Sequence, residues 1–253
     1  MQNQRITNKK FIFKYMPINI FTLKALINNE LFFGIPNNFN DPLDCKFSLS
    51  LYPLPSFQQA ERFYLSLKLS DNELKAKLLS YKENPKIIRK DIEADYTLKL
   101  RKSFCITCFS ERADSILMWS HYADKHKGIC LKFDWKVHPK YFKGYKVQYT
   151  SELPKVTYNG NRQFDTTDIF LTKLKHWKYE KEIRSIAAVE DGIQIAAFNP
   201  KALVAVIFGE KISAEDKLTI KKVISGNKEY YRVQYLNLNA VIDLNRLKII
   251  LIK

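Results

Sequence analysis

The sequence predicts an α+β fold: a mixed, largely antiparallel β-sheet, either continuous or split, with flanking helices and one helical insertion. Three observations support this class. Short aromatic and β-branched runs bounded by Pro, Asn and Gly recur along the chain and are typical of buried strands. One segment, at about residues 57–103, instead repeats its apolar residues at helical spacing. After that segment, strand-like runs outnumber helices, as expected of an α+β chain.

The amino-terminal part is predicted to form a strand, a helix and a second strand. Phe11–Met16 (FIFKYM) and residues 31–35 (LFFGI) are the two strand candidates, and Asn19 is placed to cap a short helix between them. The run 36–42 (PNNFNDP) must be a loop, because Asn and Asp side chains bond their own backbone and its two prolines break regular structure.

Residues 57–103 are predicted to be a helical insert within a single domain spanning residues 1–253, and Pro85 separates the second and third helices of the insert. A helix is expected at about 115–122. Another, at 213–224, opens with Ser213 and Asp216, which resemble a capping box. The other predicted strands are 104–110, 129–133, 145–150, 182–189, 193–198, 203–208, 231–238 and 247–252.

The formal net charge of +16 predicts attraction to an anion, and nucleic acid is the commonest large anion in a cytoplasm. The excess is spread along the chain, and lysine-rich bacterial proteomes give similar totals, so charge leaves a nucleic-acid partner open. No apolar run approaches the ~20 residues of a membrane helix, and the first residues lack the apolar core of a secretory signal. We expect a cytoplasmic protein without membrane contact, with four free thiols.

The segment from Trp119 to Gly128 (WSHYADKHKG) is the first candidate for a functional site, because polar and aromatic side chains crowd it. His121 and His126 lie five residues apart, about 140° around a helix, so they share a metal only if the helix ends near Ala123. We expect instead hydrogen bonding to a phosphate, a ribose hydroxyl or a proton in transit. The alternative is a histidine packed beside Trp119 and bonded to a backbone carbonyl.

Glu180 and Glu182 (YEKEIR) form the second candidate. At the start of a strand, residues i and i+2 share a face, so the two carboxylates are predicted to lie side by side, with Arg184 on the same face to pair with Glu182. Like charges this close raise one pKa, or the pair orients a cation or a sugar hydroxyl. The alternative is an exposed strand edge that Lys181 and Arg184 neutralise.

Three smaller features bear on a site. Lys14 and Tyr15 are neighbours on the first strand and cannot both face the core, so one is expected to face a cleft. Asn40 and Asp41 most simply form an Asx-type turn. The C-x-x-C motif at 105–108 lies on a strand, where positions i and i+3 point to opposite faces, so we expect buried thiols and no metal.

In order, the motifs FKYM, FNDP, CFSE, LMWSHYADKHKG, YEKEIR and VIFG resemble a bacterial family catalogued as domain of unknown function 2971, over about residues 13–210. The helical insert lies outside these motifs. The resemblance implies a bacterial protein of a kind often found near mobile elements and antiphage defence systems, with no established activity to carry over.

A looser likeness is to ADP-ribosyltransferases, whose split sheet carries a polar residue on an early strand, an aromatic or serine segment in the middle and a glutamate on a later strand. On this chain the likeness implies Lys14 or Tyr15 first, then Ser110 or residues 119–122, then Glu182 within an E-x-E made with Glu180. Splitting the nicotinamide glycosidic bond makes an oxocarbenium-like centre, which a carboxylate stabilises while aromatic rings hold the nicotinamide.

The working hypothesis is a defence-associated ADP-ribosyltransferase-like enzyme that uses NAD and modifies a nucleic acid or a protein. Glu182 would stabilise the transition state, Glu180 would orient the acceptor, and His121 would bind ribose or phosphate. The cofactor-binding candidates are Lys14, Tyr15, Ser110, Trp119, Tyr122, His126 and Arg184, with Tyr15 and Tyr122 flanking nicotinamide. The first alternative is a non-catalytic basic nucleic-acid-binding or sensor module, with 14 tyrosines available for stacking. The second is a metal-dependent nuclease using Asp41, Asp44, Glu180 and Glu182.

Overall fold

An eight-stranded sheet forms the centre of the computed structural model, which describes residues 6–51, 53–137, 143–158, 167–188, 194–230, 232–243 and 246–252. The strands are β1 (Phe11–Met16), β2 (Glu30–Phe33), β3 (Ser48–Leu51), β4 (Phe104–Ser110), β5 (Ile129–Asp134), β6 (Tyr145–Lys146), β7 (Gln148–Thr150), β8 (Lys155–Tyr158), β9 (Thr172–Leu174), β10 (Glu182–Ala188), β11 (Gln194–Ala197), β12 (Leu203–Phe208), β13 (Gln234–Asp243) and β14 (Arg246–Ile252). The helices are α1 (Ile20–Asn28), α2 (Phe57–Leu65), α3 (Asp71–Glu83), α4 (Ile88–Ser103), α5 (Ile116–Tyr122), α6 (Thr167–Phe170) and α7 (Ala214–Gly226).

The strand order in the central sheet is β14-β13-β12-β5-β1-β4-β10-β6. Its neighbouring strands run antiparallel, with the exception of the parallel pair β12 and β13. The smaller two-stranded sheets pair β11 with β2, β3 with β8 and β7 with β9. The predicted α+β class, with a mixed and largely antiparallel sheet, is confirmed.

The sheet opens between β1 and β4. These strands are paired at a single register position, Phe13 with Ser110, whereas β1 pairs with β5 along its whole length. The side chain of Lys14 reaches across to β4, where its Nζ donates to Thr107 Oγ1 at 2.8 Å and to the Cys108 carbonyl at 3.1 Å. This opening places the ends of β1, β4 and β10 around a cleft.

The local signals in the first thirty residues act as predicted. Asn19 caps α1, with its Oδ1 accepting from the Thr22 amide at 3.0 Å, and Asn29 ends the helix in a left-handed conformation at φ 57°. The second predicted strand forms at Glu30–Phe33, and it pairs with Gln194–Ala197 outside the central sheet.

The predicted helices of the insert are confirmed as α2, α3 and α4. Capping boxes open the first two, at Ser56 with Gln59 and at Ser70 with Glu73. Pro85 begins a short 3-10 turn between α3 and α4. The helices bury a second hydrophobic core against one end of β4, so the insert packs on the sheet. The assignment of one domain to the whole chain stays a prediction.

Some strand predictions were incomplete. The run 145–150 is two strands, because the Val147 amide donates to the Glu182 carbonyl while the next residues pair with β9. The short strands β3, β8 and β9 were not predicted. Val189, Ile193 and Tyr231, which the predicted strands included, lie outside the described residues.

The two faces of the central sheet bury different side chains. One face packs Ile12, Leu131 and Phe133 under α1 and α7, in the largest hydrophobic cluster. The other packs Tyr15 and Cys130 under α5. The cleft described below lies on the α5 side, where even-numbered residues of β4 and β10 point. Over the described residues, no helix combines the length and apolarity that a bilayer crossing requires.

Candidate functional site

A cleft of about 300 Å³ lies where the sheet opens. Its polar lining comes from β1, α5, β9, the 3-10 helix before β10, the first residue of β10 and the loop at 38–44. It consists of Lys14, Asn38, Asn40, Asp44, Tyr122, Lys173, Glu180 and Glu182. Rings and other apolar groups complete the wall: Phe13, Tyr15, Phe39, Cys108, Phe109 and Met118. The cleft thus combines aromatic surface with a dense set of charges, which is typical of small-molecule sites.

Arg184 is the centre of the charge cluster beneath the cleft. It is fully buried on β10, and its Nε and Nη2 donate to the two carboxylate oxygens of Glu182 at 2.7 and 3.0 Å. Nη2 also donates to Asp44 Oδ2 at 2.6 Å, and Nη1 donates to the Phe170 carbonyl at 2.8 Å. The predicted pairing of Arg184 with Glu182 is therefore present, but it lies in the interior, and the guanidinium has no face left for a ligand.

Lys173 joins the three carboxylates of the cluster. Its Nζ lies 2.6 Å from Glu180 Oε2, 3.3 Å from Glu182 Oε2 and 3.4 Å from Asp44 Oδ2. Three carboxylates surround two cations, so one negative charge is in excess among these five groups. These carboxylates raise the pKa of Lys173, although burial opposes that shift, and the ammonium stays charged.

The carboxylate of Glu180 lines the cleft and accepts a hydrogen bond from a side-chain hydroxyl. Tyr122 donates to Glu180 Oε1 at 2.5 Å, and Asn40 Nδ2 donates to the Tyr122 hydroxyl at 2.9 Å. Asn40 and Tyr122 therefore hold one oxygen of the carboxylate while Lys173 holds the other. This chain connects the 38–44 loop, α5 and the turn before β10.

The environments of Glu180 and Glu182 separate their acidities. Burial, together with the negative charge of Glu182, raises the pKa of Glu180 to about 6. Burial alone would also raise the pKa of Glu182, but Arg184 and Lys173 lower it to about 2. Glu182 is consequently a permanent anion near neutral pH, while Glu180 exchanges a proton there, the usual arrangement of an acid–base pair.

The two glutamates converge by a different route from the one predicted. Only Glu182 lies on the strand; Glu180 ends a 3-10 helix at Lys175–Glu180, and Lys181 between them adopts a left-handed conformation at φ 45°. They are 2% and 5% exposed, so the alternative of an exposed strand edge was wrong. The Tyr149 hydroxyl accepts from the Glu182 amide at 2.8 Å and fixes the start of β10.

The candidates on the first strands differ in access. Lys14 lines the cleft, and burial lowers the pKa of its ammonium. Tyr15 borders the cleft but is 8% exposed, with its hydroxyl donating to the Arg112 carbonyl and its ring against Trp119. Ser110 is fully buried and donates to the Glu180 carbonyl at 2.6 Å, so it supports the backbone of Glu180 without lining the cleft.

Within the Trp119 to Gly128 segment, Tyr122 is the side chain that lines the cleft. Trp119 is fully buried and donates from Nε1 to the Ala113 carbonyl at 2.7 Å. His126 stacks on it at 6.4 Å between ring centroids and bonds to Ser120, close to the packed-histidine alternative but with a serine partner. His121 is exposed, beside the rings of Tyr122 and Tyr179. The segment therefore reaches the cleft through Tyr122, while Trp119 anchors it in the core.

The end of that segment is a strained turn. Asp124, Lys125 and His126 have φ values of 43°, 51° and 72°, so three successive residues are left-handed, each at a cost of about 1–2 kcal/mol. The turn is held from outside: Gly209 approaches it so closely that a Cβ would lie 2.1 Å from the His126 carbonyl oxygen. The VIFG motif (residues 206–209) therefore packs directly against the KHKG end of the segment (residues 125–128).

Nothing in the described residues groups three or more His, Cys, Asp or Glu side chains in a metal-binding arrangement. Cys105 and Cys108 are thiols, and they belong to clusters on opposite faces of the sheet. The carboxylates Asp44, Glu180 and Glu182 already contact Lys173 or Arg184, whose charges repel a divalent cation.

Lys173 and Asp44 were the important omissions among the predicted site residues, although Asp44 belonged to the nuclease alternative. Neither residue belongs to β10 or to the 3-10 helix before it, which carry the two glutamates. Their convergence on the glutamates depends on the parallel pairing of β7 with β9 and on the fold of the 38–44 loop. A local sign was present for the loop: Asp41 makes the predicted turn, with its Oδ1 accepting from the Leu43 amide at 2.9 Å.

A family model described as "Protein of unknown function (DUF2971)" matches residues 118–185. No match was found among the curated proteins or among the solved structures. The matched segment begins in α5 and ends in β10, so it includes Tyr122, Lys173, Glu180 and Glu182. The resemblance expected from the motifs is confirmed: residues 118–185 of this chain match the family of proteins of unknown function DUF2971.

Proposed function

We propose that this protein is an enzyme that breaks the nicotinamide–ribose bond of NAD and transfers ADP-ribose to an acceptor. The observation that carries the proposal is a pair of carboxylates with separated pKa values, Glu180 at about 6 and Glu182 at about 2, on one cleft walled by aromatic rings. Two carboxyl groups tuned apart in this way commonly divide the roles of proton acceptor and charge stabiliser.

The chemistry follows from the charges. As the C1′–N bond breaks, its electron pair leaves with nicotinamide and positive charge develops on the ribose. Glu182 stabilises that centre through space, because the cluster to which it belongs carries one negative charge in excess, and Arg184 and Lys173 fix the position of its carboxylate. Glu180 accepts the proton of the attacking water or hydroxyl as the new C1′–O bond forms. The rings of Phe13 and Tyr122 hold the nicotinamide in the cleft.

The topology supports the proposal in a second way. The three-part pattern assigned Lys14 or Tyr15 first, Ser110 or residues 119–122 second, and Glu182 third. With Ser110 as its second member, it falls on β1, β4 and β10, which are neighbours in the sheet. Phe13, Ser110 and Glu182 are in register across them. The opening beside this row is where a split sheet would admit a substrate.

Incubation with NAD tests the proposal, with nicotinamide release followed by chromatography. Glu180→Gln keeps the size of the side chain and removes the proton acceptor, so we expect a rate lower by about 10²–10⁴-fold. Glu83→Gln, on an exposed position of α3, is the matched control and should retain the wild-type rate. Absence of nicotinamide release by the wild type, or an equal rate for Glu180→Gln at unchanged stability, would overturn the assignment.

The proposal includes a nucleic-acid acceptor, which the net charge of +16 favours, and a role in defence against phages, which the family resemblance implies. The metal-dependent nuclease is not favoured, since three of its four carboxylates, Asp44, Glu180 and Glu182, contact Lys173 or Arg184. A gel-shift series against salt concentration would measure whether nucleic acid binds, because affinity then falls log-linearly with added salt.

A further inference from the structure

A second pocket, of about 500 Å³, adjoins the cleft and shares Asn38, Phe39 and Asp44 with it. Its walls combine the rings of Phe39 and Phe170 with polar side chains, among them Asp41 and Thr97. An aromatic ring offers a flat face on which a planar group can stack, while polar side chains nearby can fix its orientation.

Asp41 lines this pocket and carries a carboxylate oxygen without a hydrogen-bond partner. The residue is 6% exposed and lines the pocket, and its Oδ2 is buried with no hydrogen-bond partner. Its other oxygen is committed to the turn, accepting from the Leu43 amide. The neighbouring Asp44 differs, since Arg184 and Lys173 contact it. Buried carboxylate oxygens are normally hydrogen-bonded, so Asp41 Oδ2 is an acceptor that a bound ligand could satisfy with an N–H or O–H donor.

We propose that the second pocket binds a planar heterocycle carrying an exocyclic amine, with Asp41 Oδ2 accepting an N–H bond from that amine. An aminopurine such as adenine has both properties. The pocket would then hold the adenine end of NAD while the nicotinamide end lies in the cleft, and this last assignment rests on the proposed function. The amine-binding pocket itself does not depend on that reaction.

The test exploits the two oxygens of Asp41. In Asp41→Asn, the amide oxygen can keep the bond to the Leu43 amide, while the NH₂ group replaces Oδ2 and turns the acceptor into a donor. Adenosine offers an amine donor, whereas inosine offers a carbonyl acceptor at the same ring position. We expect the wild type to bind adenosine about tenfold more tightly than inosine in calorimetric titrations, and Asp41→Asn to reverse that preference.

Glu83→Gln is the control and should leave both affinities unchanged. If Asp41→Asn fails to fold, Asp41→Ser keeps a turn acceptor and should lose the preference for adenosine. Absence of adenosine binding by the wild type, or an unchanged preference in both variants, overturns the proposal. Because neither nucleoside contains nicotinamide, a reversed preference without nicotinamide release supports the pocket and refutes only the proposed function.

Discussion

Replacement of Lys173 by Met should be among the most damaging substitutions in this protein. Lys173 is 5% exposed, and its ammonium contacts Asp44, Glu180 and Glu182. Methionine preserves much of the volume but removes the charge, which leaves Arg184 as the one cation of the cluster beside three buried carboxylates. Removal of one partner from a buried ion pair costs about 3–5 kcal/mol, a large part of the roughly 5–15 kcal/mol by which a domain is stable.

The loss should depend on pH through Glu180. Its folded-state pKa of about 6 lies above the ordinary value of 4.5, so folding favours the protonated carboxyl. That contribution is fully present below pH 4.5 and is lost as the pH rises through about 6. Without Lys173 the pKa of Glu180 rises further. The cost of Lys173→Met should therefore be larger at pH 8 than at pH 5.

Urea unfolding at pH 5 and pH 8, followed by circular dichroism, measures both effects. Lys175→Met changes an exposed lysine two residues away, in the 3-10 helix that ends at Glu180, and should shift stability by less than about 0.5 kcal/mol. The double variant Lys173→Met/Glu180→Gln should recover part of the loss, since it removes one uncompensated carboxylate. A loss below about 1 kcal/mol at pH 8, or one equal at both pH values, would refute the reasoning.

Three further outcomes can be measured. Gly209→Ala should destabilise the protein by about 3 kcal/mol or more in urea unfolding, because the added Cβ meets the His126 carbonyl oxygen. Gly226 lies in open space at the end of α7, so Gly226→Ala should instead stabilise the protein by up to about 1 kcal/mol. Equal effects of the two substitutions would contradict the close contact at Gly209. Tyr122→Phe removes a donor to Glu180 and should move the acid limb of the nicotinamide-release profile to higher pH; an unmoved limb would show that Glu180 is not the titrating group. In Arg184→Lys, the lysine cannot contact both Glu182 oxygens and Asp44 together, so the midpoint of thermal unfolding should fall by several degrees. An unchanged midpoint would contradict this role of Arg184.

The elements that depend on neighbouring residues were predictable. Asn19 and Ser213 cap their helices, Pro85 separates two others, and Phe11–Met16 and Leu203–Phe208 form strands with the predicted bounds. Each of these signals acts within one turn or one strand, so the element can be predicted without knowledge of the fold. The short strand Thr172–Leu174 was missed, because three residues carry too little pattern to distinguish a strand from a loop.

The site was predicted in part for the same reason. Glu180, Glu182 and Tyr122 come from runs whose composition is unusual on its own, and all three line the cleft. His121 and Trp119 come from the same kind of run, yet one faces solvent and the other lies in the core. The direction of each side chain depends on how α5 packs against β1 and against the 3-10 helix at Lys175–Glu180. That information lies outside the run.

The sequence by itself determined the fold class, the helix caps at Asn19 and Ser213, and the two segments from which the candidate site is built. Only the tertiary structure decided that Lys173 and Asp44 join Arg184 and the two glutamates in one buried cluster. The physical reason is that charges interact through space over a few ångströms, whatever their separation along the chain. Asp44 and Arg184 are 140 residues apart in sequence and 2.6 Å apart in the fold.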